Sequence, residues 1–78
     1  SFYNAGRLML ILDSPQSALI FFENALKLSP KNCSVLCKLI YCYYNTGDVE
    51  KARNLMDTAR KLEPFNFQVK RTARTLFK

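Results

Sequence analysis

Residues that could support catalysis are few in this chain of 78 residues, and their spacing does not group them. There is no histidine, and no serine lies in the strand–turn–helix setting of a nucleophile elbow. The two glycines, Gly6 and Gly47, are too far apart to form a phosphate-binding loop. The carboxylates are isolated: Asp48 and Glu50 begin one predicted helix and Glu63 ends it, so no general acid–base pair is indicated. We therefore predict no catalytic residues and no enzyme activity.

Three cysteines, Cys33, Cys37 and Cys42, lie in one predicted helix. A structural zinc site needs four ligands, and the chain has no histidine to complete the set. Small buried cysteines are typical of helix-packing positions, so we predict no metal and no cofactor. Reduced thiols favour a cytoplasmic or nuclear location. Apolar runs such as residues 8–12 are far shorter than the roughly 20 residues of a membrane span, so no membrane association is expected.

Positive charge is concentrated at the end of the chain. Residues 1–66 hold eight basic and six acidic side chains, whereas residues 67–78 hold four basic side chains and no acid. A basic surface near aromatic rings can follow a nucleic-acid backbone, so RNA or DNA contact is an alternative function. Such a surface is more often solvated or covered by a further repeat, and we consider nucleic acid the less favoured partner. The four residues of this possible basic patch are Lys70, Arg71, Arg74 and Lys78.

The elements that carry these residues are five predicted helices, over residues 2–12, 15–28, 33–45, 49–62 and 67–78. Ser14, Asn32, Asp48 and Asn66 are placed to cap the later four helices, and proline follows Ser14 at a first helical position. Pro30 and Pro64 end the second and fourth helices. Apolar residues at helical spacing predict the buried faces. These are Phe2, Ala5, Leu8, Met9 and Leu12; Ala18, Leu19, Phe22, Ala25 and Leu26, widened by Ile20 and Phe21; Val35, Leu36, Leu39, Ile40, Cys42 and Tyr43; Ala52, Leu55, Met56, Ala59 and Leu62; and Val69, Ala73, Leu76 and Phe77.

A 34-residue step relates the two central helix pairs. It joins Ala18 to Ala52, Ala25 to Ala59, Leu28 to Leu62 and Pro30 to Pro64. Within each helix the alanines are seven residues, or two turns, apart, so they share one face and let a neighbouring helix approach closely. Paired helices at this period indicate an all-α helical solenoid, in which each repeat buries its apolar face against its neighbours.

The repeat resembles the tetratricopeptide repeat, a helix–turn–helix unit of 34 residues. Gly6 conforms to a small position of that family, where this chain later has Ile40 and Arg74. The resemblance implies a right-handed solenoid of antiparallel helix pairs and a role as a non-catalytic protein-interaction scaffold. We expect part of a longer array: residues 1–32 as a repeat lacking its start, 33–66 as a complete repeat, and 67–78 as the first helix of a third repeat or a capping helix. Further residues that carry the likeness are Phe2, Ala5, Met9, Ala18, Phe22, Ala25, Leu28, Pro30, Leu36, Leu39, Tyr43, Gly47, Ala52, Met56, Ala59, Leu62, Pro64, Ala73, Leu76 and Phe77.

In such a stack the first helix of each pair lines a concave face. Tyrosine and arginine are enriched at binding hot spots, so this face is expected to bind a protein or peptide with acidic and apolar groups, within a multiprotein complex. A carboxylate clamp of the co-chaperone type is a less favoured form, because Ser34 stands where a lysine is expected. A purely structural role in a longer superhelix is a further alternative, and the exposed last helix could mediate self-association. The predicted partner-binding residues are Tyr3, Asn4, Arg7, Lys38, Tyr41, Tyr44, Asn45 and Arg71.

Overall fold

The computed structural model describes residues 1–78 and contains five helices and no strands. The helices are α1 (Phe2–Ile11), α2 (Pro15–Leu28), α3 (Cys33–Asn45), α4 (Val49–Leu62) and α5 (Phe67–Leu76). The all-α prediction is therefore confirmed. The expected helix boundaries agree with the structure except at two C-termini: α1 ends one residue earlier than predicted, and α5 ends at Leu76 instead of continuing to Lys78.

Side-chain caps begin four of the five helices. The Asn32 side chain accepts hydrogen bonds from the backbone amides of Ser34 and Val35, at 3.0 and 3.3 Å. Asp48 and Asn66 cap α4 and α5 in the same way. The prediction for Ser14 is wrong, because its side chain makes no capping hydrogen bond. The proline at the start of α2 has no amide hydrogen and a backbone already suited to a first turn, so α2 begins without that cap.

Consecutive helices run antiparallel, and the first helices of successive pairs run parallel. Lys51, at the start of α4, lies 4.8 Å from the ring of Tyr43, near the end of α3. By contrast, α3 and α5 meet start to start, where the Ser34 hydroxyl donates a 2.8 Å hydrogen bond to the Gln68 side-chain oxygen. Ser34 and Gln68 are 34 residues apart, so this bond joins equivalent positions of two repeats.

The central helix α3 forms the middle of the core. It contacts α2, α4 and α5, and eight of its residues are buried. The alanines of the repeat pattern lie at the helix contacts: Ala18, Ala52 and Ala59 are fully buried and Ala25 is nearly so. Small side chains at these positions let the helix axes come close, as the 34-residue step predicts.

The two repeats have different residue pairs at the close contact between their paired helices. A Cβ atom placed on Gly6 would lie 2.6 Å from the ring of Phe22, so this helix crossing requires glycine. The equivalent positions one repeat later are Ile40 and Met56, and both are buried. The pair of Gly6 and Phe22 is therefore replaced by the pair of Ile40 and Met56. Ile40 fits where the resemblance favours a small residue because the unbranched, flexible side chain of Met56 can adapt to it, whereas the rigid ring of Phe22 meets a glycine.

Several residues predicted to be buried are exposed. Phe2 and Leu8 on α1, and Leu12 just after it, face solvent, and the side of α1 that packs on α2 carries Gly6 instead. The cause is the Gly6–Phe22 contact, which fixes the rotation of α1 about its axis. Ile20 is 63% exposed, because no helix covers the outer side of α2. Leu62, assigned to the seam of α4, is also exposed.

Candidate binding groove

The first helices of the pairs, α1, α3 and α5, enclose a groove of about 360 Å³. Residues from helices one or two repeats apart face each other across it, which is a direct result of the parallel stacking of α3 and α5. Its walls combine apolar side chains, hydroxyl and amide groups, and two cations. The lining residues are Leu10, Cys37, Lys38, Tyr41, Gln68, Arg71, Thr72, Thr75 and Leu76.

The electrostatic character of the groove comes from Lys38 on α3 and Arg71 on α5. No carboxylate lines the groove, so neither cation has an acidic partner within its walls. The Arg71 guanidinium lies 4.9 Å from the centre of the Phe67 ring, which supports one face of the guanidinium. Burial raises the pKa of Cys37, so this thiol stays neutral and adds to the apolar floor. The groove thus suits a ligand that carries negative charge and apolar groups.

Three of the predicted partner-binding residues, Lys38, Tyr41 and Arg71, line this groove together. The ring of Tyr41 is 46% exposed and available to a ligand. Asn45 lies beside it and donates a 2.8 Å hydrogen bond to the carbonyl of Tyr41. Tyr41 and Asn45 also line an adjoining cavity of about 240 Å³ that reaches Asp13 at the end of α1.

The other predicted partner-binding residues lie outside the groove. Tyr3 packs edge-on against Phe22, with ring centres 5.8 Å apart, and the Arg7 guanidinium lies 5.9 Å from the Tyr3 ring. Asn4 is exposed on the first turn of α1. Tyr44 on α3 lies edge-on against Phe77, which directly follows α5, with 5.7 Å between the ring centres.

Gln68 and Leu76 are among the groove residues that the predicted partner-binding set lacks. The detectable signal for Gln68 was its distance of 34 residues from Ser34, a polar pair at equivalent positions of adjacent repeats. In the structure these two side chains are hydrogen bonded to each other at the edge of the concave face. The Ser34 hydroxyl is therefore engaged within the protein, at the position where a clamp would place a lysine.

The four residues of the possible basic patch do not share one surface. Arg71 faces the concave groove, whereas Lys70 and Arg74 line a second cavity of about 520 Å³ between α4 and α5. Lys70 lies 5.6 Å from the ring centre of Phe65. Lys78 follows the end of α5. The helical step of α5 separates these charges, because adjacent residues point about 100° apart around a helix.

The three cysteines have free thiols, and all three are buried. Burial is the main cause that raises the pKa values of Cys33 and Cys42 to about 11. A hydrogen bond to the Glu63 carboxylate also raises the pKa of Cys33. No group of three cysteine, aspartate or glutamate side chains is placed to hold a metal ion. None of the five helices combines the length and the apolar character that crossing a membrane requires.

Comparison with known proteins identifies a family and a similar protein. Residues 10–74 match the family described as Tetratricopeptide repeat, a range that reaches from α1 into α5. The chain is also similar to Protein CTR9 homolog of Arabidopsis thaliana, with 33% identity over 67 residues that cover 86% of this chain. The chain spans 6% of the length of that relative. Together with the five stacked helices and their 34-residue step, the family match shows that the chain belongs to the tetratricopeptide repeat family.

Proposed function

We propose that this chain is a non-catalytic scaffold that binds a segment of a partner protein in the groove between α1, α3 and α5. The observation that supports the proposal most strongly is the composition of the groove wall. Two cations from neighbouring repeats, Lys38 and Arg71, flank apolar side chains, and no carboxylate is present to neutralise them. An acidic and apolar peptide is the ligand that complements such a wall.

Each part of the groove has a distinct role in the proposed complex. A carboxylate of the ligand would lie between Lys38 and Arg71 and accept charge-assisted hydrogen bonds from both. An apolar side chain would pack against Leu10 and Leu76, with Tyr41 as an aromatic contact at the edge. The hydroxyl of Thr72 already donates a 2.8 Å hydrogen bond to the Gln68 carbonyl, so the Thr75 hydroxyl is the freer donor for the ligand backbone.

The family supports this assignment, because tetratricopeptide repeat proteins bind protein partners. Membership of a multiprotein complex and a cytoplasmic or nuclear location are parts of the same proposal. The free thiols of α3 agree with a reducing compartment.

A peptide-library experiment tests the groove directly. Fluorescent decapeptides with one to three glutamates among leucine and alanine residues are titrated against the wild type and Lys38→Glu/Arg71→Glu, with fluorescence anisotropy as the readout. We expect the acidic peptides to bind the wild type. Their affinity for the double variant should be about tenfold or more weaker, because two favourable charge contacts become repulsive. Tyr41→Ala should weaken binding without changing its salt dependence.

The matched control is Lys31→Glu/Lys61→Glu, which makes the same charge change at two exposed positions outside the groove. This control should keep the wild-type affinity. Equal losses in both double variants would show a response to net charge alone and would contradict the groove proposal. Binding of a uridine decanucleotide in preference to every acidic peptide would favour the nucleic-acid alternative. No binding in either series would favour a purely structural role.

A further inference from the structure

The concave groove adjoins a smaller cavity of opposite charge. This acidic cavity has a volume of about 240 Å³ and lies where α1 and α3 end. Asp13 and Asn45 supply its polar walls and no cation lines it, whereas the groove holds two cations and no carboxylate. Leu10 and Tyr41 line both spaces, so the two form one surface that changes from cationic to acidic. The fifth lining residue of the acidic cavity is Pro15.

Asp13 adopts a backbone conformation that favours glycine. Asp13 and Gly47 are the two residues with a positive φ, at 58° and 97°. They are 34 residues apart, so they occupy the same turn of successive repeats. An aspartate is less favourable than glycine in this left-handed region, and the turn itself does not need a carboxylate. A strained residue at the edge of a binding surface points to a role in binding.

Two further features make the acidic cavity favourable for a cation. The carboxyl ends of α1 and α3 lie there, and the helix dipole places partial negative charge at such ends. The Asn45 amide nitrogen donates its 2.8 Å hydrogen bond to the Tyr41 carbonyl, which leaves the amide oxygen of Asn45 as an acceptor. A lysine or arginine side chain of a ligand thus finds a carboxylate and an amide oxygen within one cavity.

The separation of the cationic and acidic regions sets the length of the ligand. Lys38 and Asn45 are seven residues apart on α3, which is about 10 Å along the helix axis. In an extended chain, alternate side chains point to the same side and each residue advances about 3.3 Å. Residues i and i+4 of an extended segment therefore share one side and are about 13 Å apart, enough to span both regions.

Further repeats of a longer array would not fill these two spaces. The helices α1, α3 and α5 stand side by side, and all three line the concave face. A helix pair that continues the stack takes its place beside α5 and adds another wall to the groove. The occupant of the concave face therefore comes from outside the stack, as the partner protein of the proposed function does.

We propose that the concave face selects an extended partner segment with an acidic residue and a lysine or arginine four positions apart. The inference rests on the proposed function and adds a second charge to its ligand. The acidic residue lies between Lys38 and Arg71, as in the groove proposal. The residue midway is apolar and contacts Leu10 and Tyr41, and the basic side chain pairs with Asp13.

Anisotropy titrations with two pairs of fluorescent peptides test this selection. The first pair contains Glu-Ala-Leu-Ala-Lys and the same sequence with glutamine in place of lysine. The second pair has the reverse chain order, because the surface specifies side-chain positions and not chain direction. The proteins are the wild type, Asp13→Asn and the matched control Asp57→Asn, which removes a carboxylate from an exposed position of α4. Asparagine tolerates the left-handed backbone of position 13.

In at least one chain direction, we expect the lysine peptide to bind the wild type and Asp57→Asn about three- to fivefold more tightly than the glutamine peptide. Asp13→Asn should remove this preference and leave the affinity for the glutamine peptide unchanged. The chain has a net charge of +6, so long-range attraction alone would favour the glutamine peptide. A gain from lysine therefore reports a local contact. Circular dichroism establishes that the variants keep their helices.

Equal affinities of the lysine and glutamine peptides for the wild type would overturn this inference and leave the groove proposal intact. A lysine preference that persists in Asp13→Asn would also overturn it, because the partner of the cation would lie elsewhere. A dimer in sedimentation equilibrium that excludes the peptides would assign the concave face to a second copy of the chain. Failure of all four peptides and of the acidic decapeptides to bind would overturn the groove proposal and this inference together.

Discussion

Gly6→Ala should destabilise this protein, although alanine is the better helix former. The added Cβ atom would lie 2.6, 2.7 and 2.8 Å from three carbons of the Phe22 ring, distances that packed side chains do not tolerate. Phe22 has no free space into which to retreat, because it is fully buried and its ring also contacts Tyr3. Either the ring must move or α1 must tilt away from α2.

The expected magnitude follows from two opposed terms. Replacing glycine by alanine inside a helix stabilises by about 0.5–1 kcal/mol. Overpacking a close-packed site costs about 1–3 kcal/mol. The net effect of Gly6→Ala is therefore a loss of up to about 2.5 kcal/mol. At about 4–8 °C per kcal/mol for a domain of this size, the loss is measurable as a lower melting temperature.

The assay is urea and thermal unfolding followed by circular dichroism, on the single variant and on Gly6→Ala in a Phe22→Met background. The background reproduces the arrangement of the next repeat, where Met56 lies at the equivalent position. There the alanine should be neutral or stabilising, since the ring that it meets is gone. A stabilising effect of Gly6→Ala in the wild-type background, or equal effects in both backgrounds, would show that the Gly6–Phe22 contact does not limit the approach of α1 to α2.

Two further predictions concern helix capping and pH. Asn32→Ala should lower the free energy of unfolding by about 1 kcal/mol in denaturant titrations, because two backbone amides lose their acceptor. Ser14→Ala removes no capping hydrogen bond and should cost less than about 0.5 kcal/mol. Equal costs would contradict the capping assignment. Stability should fall as the pH rises from 9 towards 11, since the pKa values of Cys33 and Cys42 are raised from 9.0 to about 11 in the folded protein and the unfolded chain loses these protons first. The free energy of unfolding should fall less steeply with pH in Cys42→Ala than in the wild type. An unchanged pH dependence in this variant would refute the contribution of the Cys42 thiol.

The sequence alone was sufficient for the helices and their order. Proline and capping residues at helix ends act through local geometry, so the boundaries near Asn32, Asp48 and Pro64 could be predicted without tertiary structure. The 34-residue recurrence of Ala18 and Ala52 likewise predicted which faces pack, and both residues are fully buried. Ser14 shows the limit of this local reasoning, since a suitable residue type at a helix start does not ensure a hydrogen bond.

The candidate groove was predictable only in part. Lys38, Tyr41 and Arg71 were placed on the concave face by helical register, and the structure brings them together in one cavity. Tyr3 and Tyr44 have the same residue type and a similar register, but Tyr3 packs against the ring of Phe22 and Tyr44 against the ring of Phe77. These ring contacts depend on the rotation and the separation of the helices, and the sequence of a single helix does not specify either.

The sequence by itself thus determined the helices, their 34-residue period and the apolar character of their buried faces. All three follow from short-range sterics and from residue spacing. Tertiary structure decided which seams are covered. Leu36 and Lys70 occupy equivalent positions, yet one is buried under α4 and the other is exposed, because burial is a property of the neighbouring element. The rotation of α1 was also decided at this level, by the contact of a single glycine with the ring of Phe22.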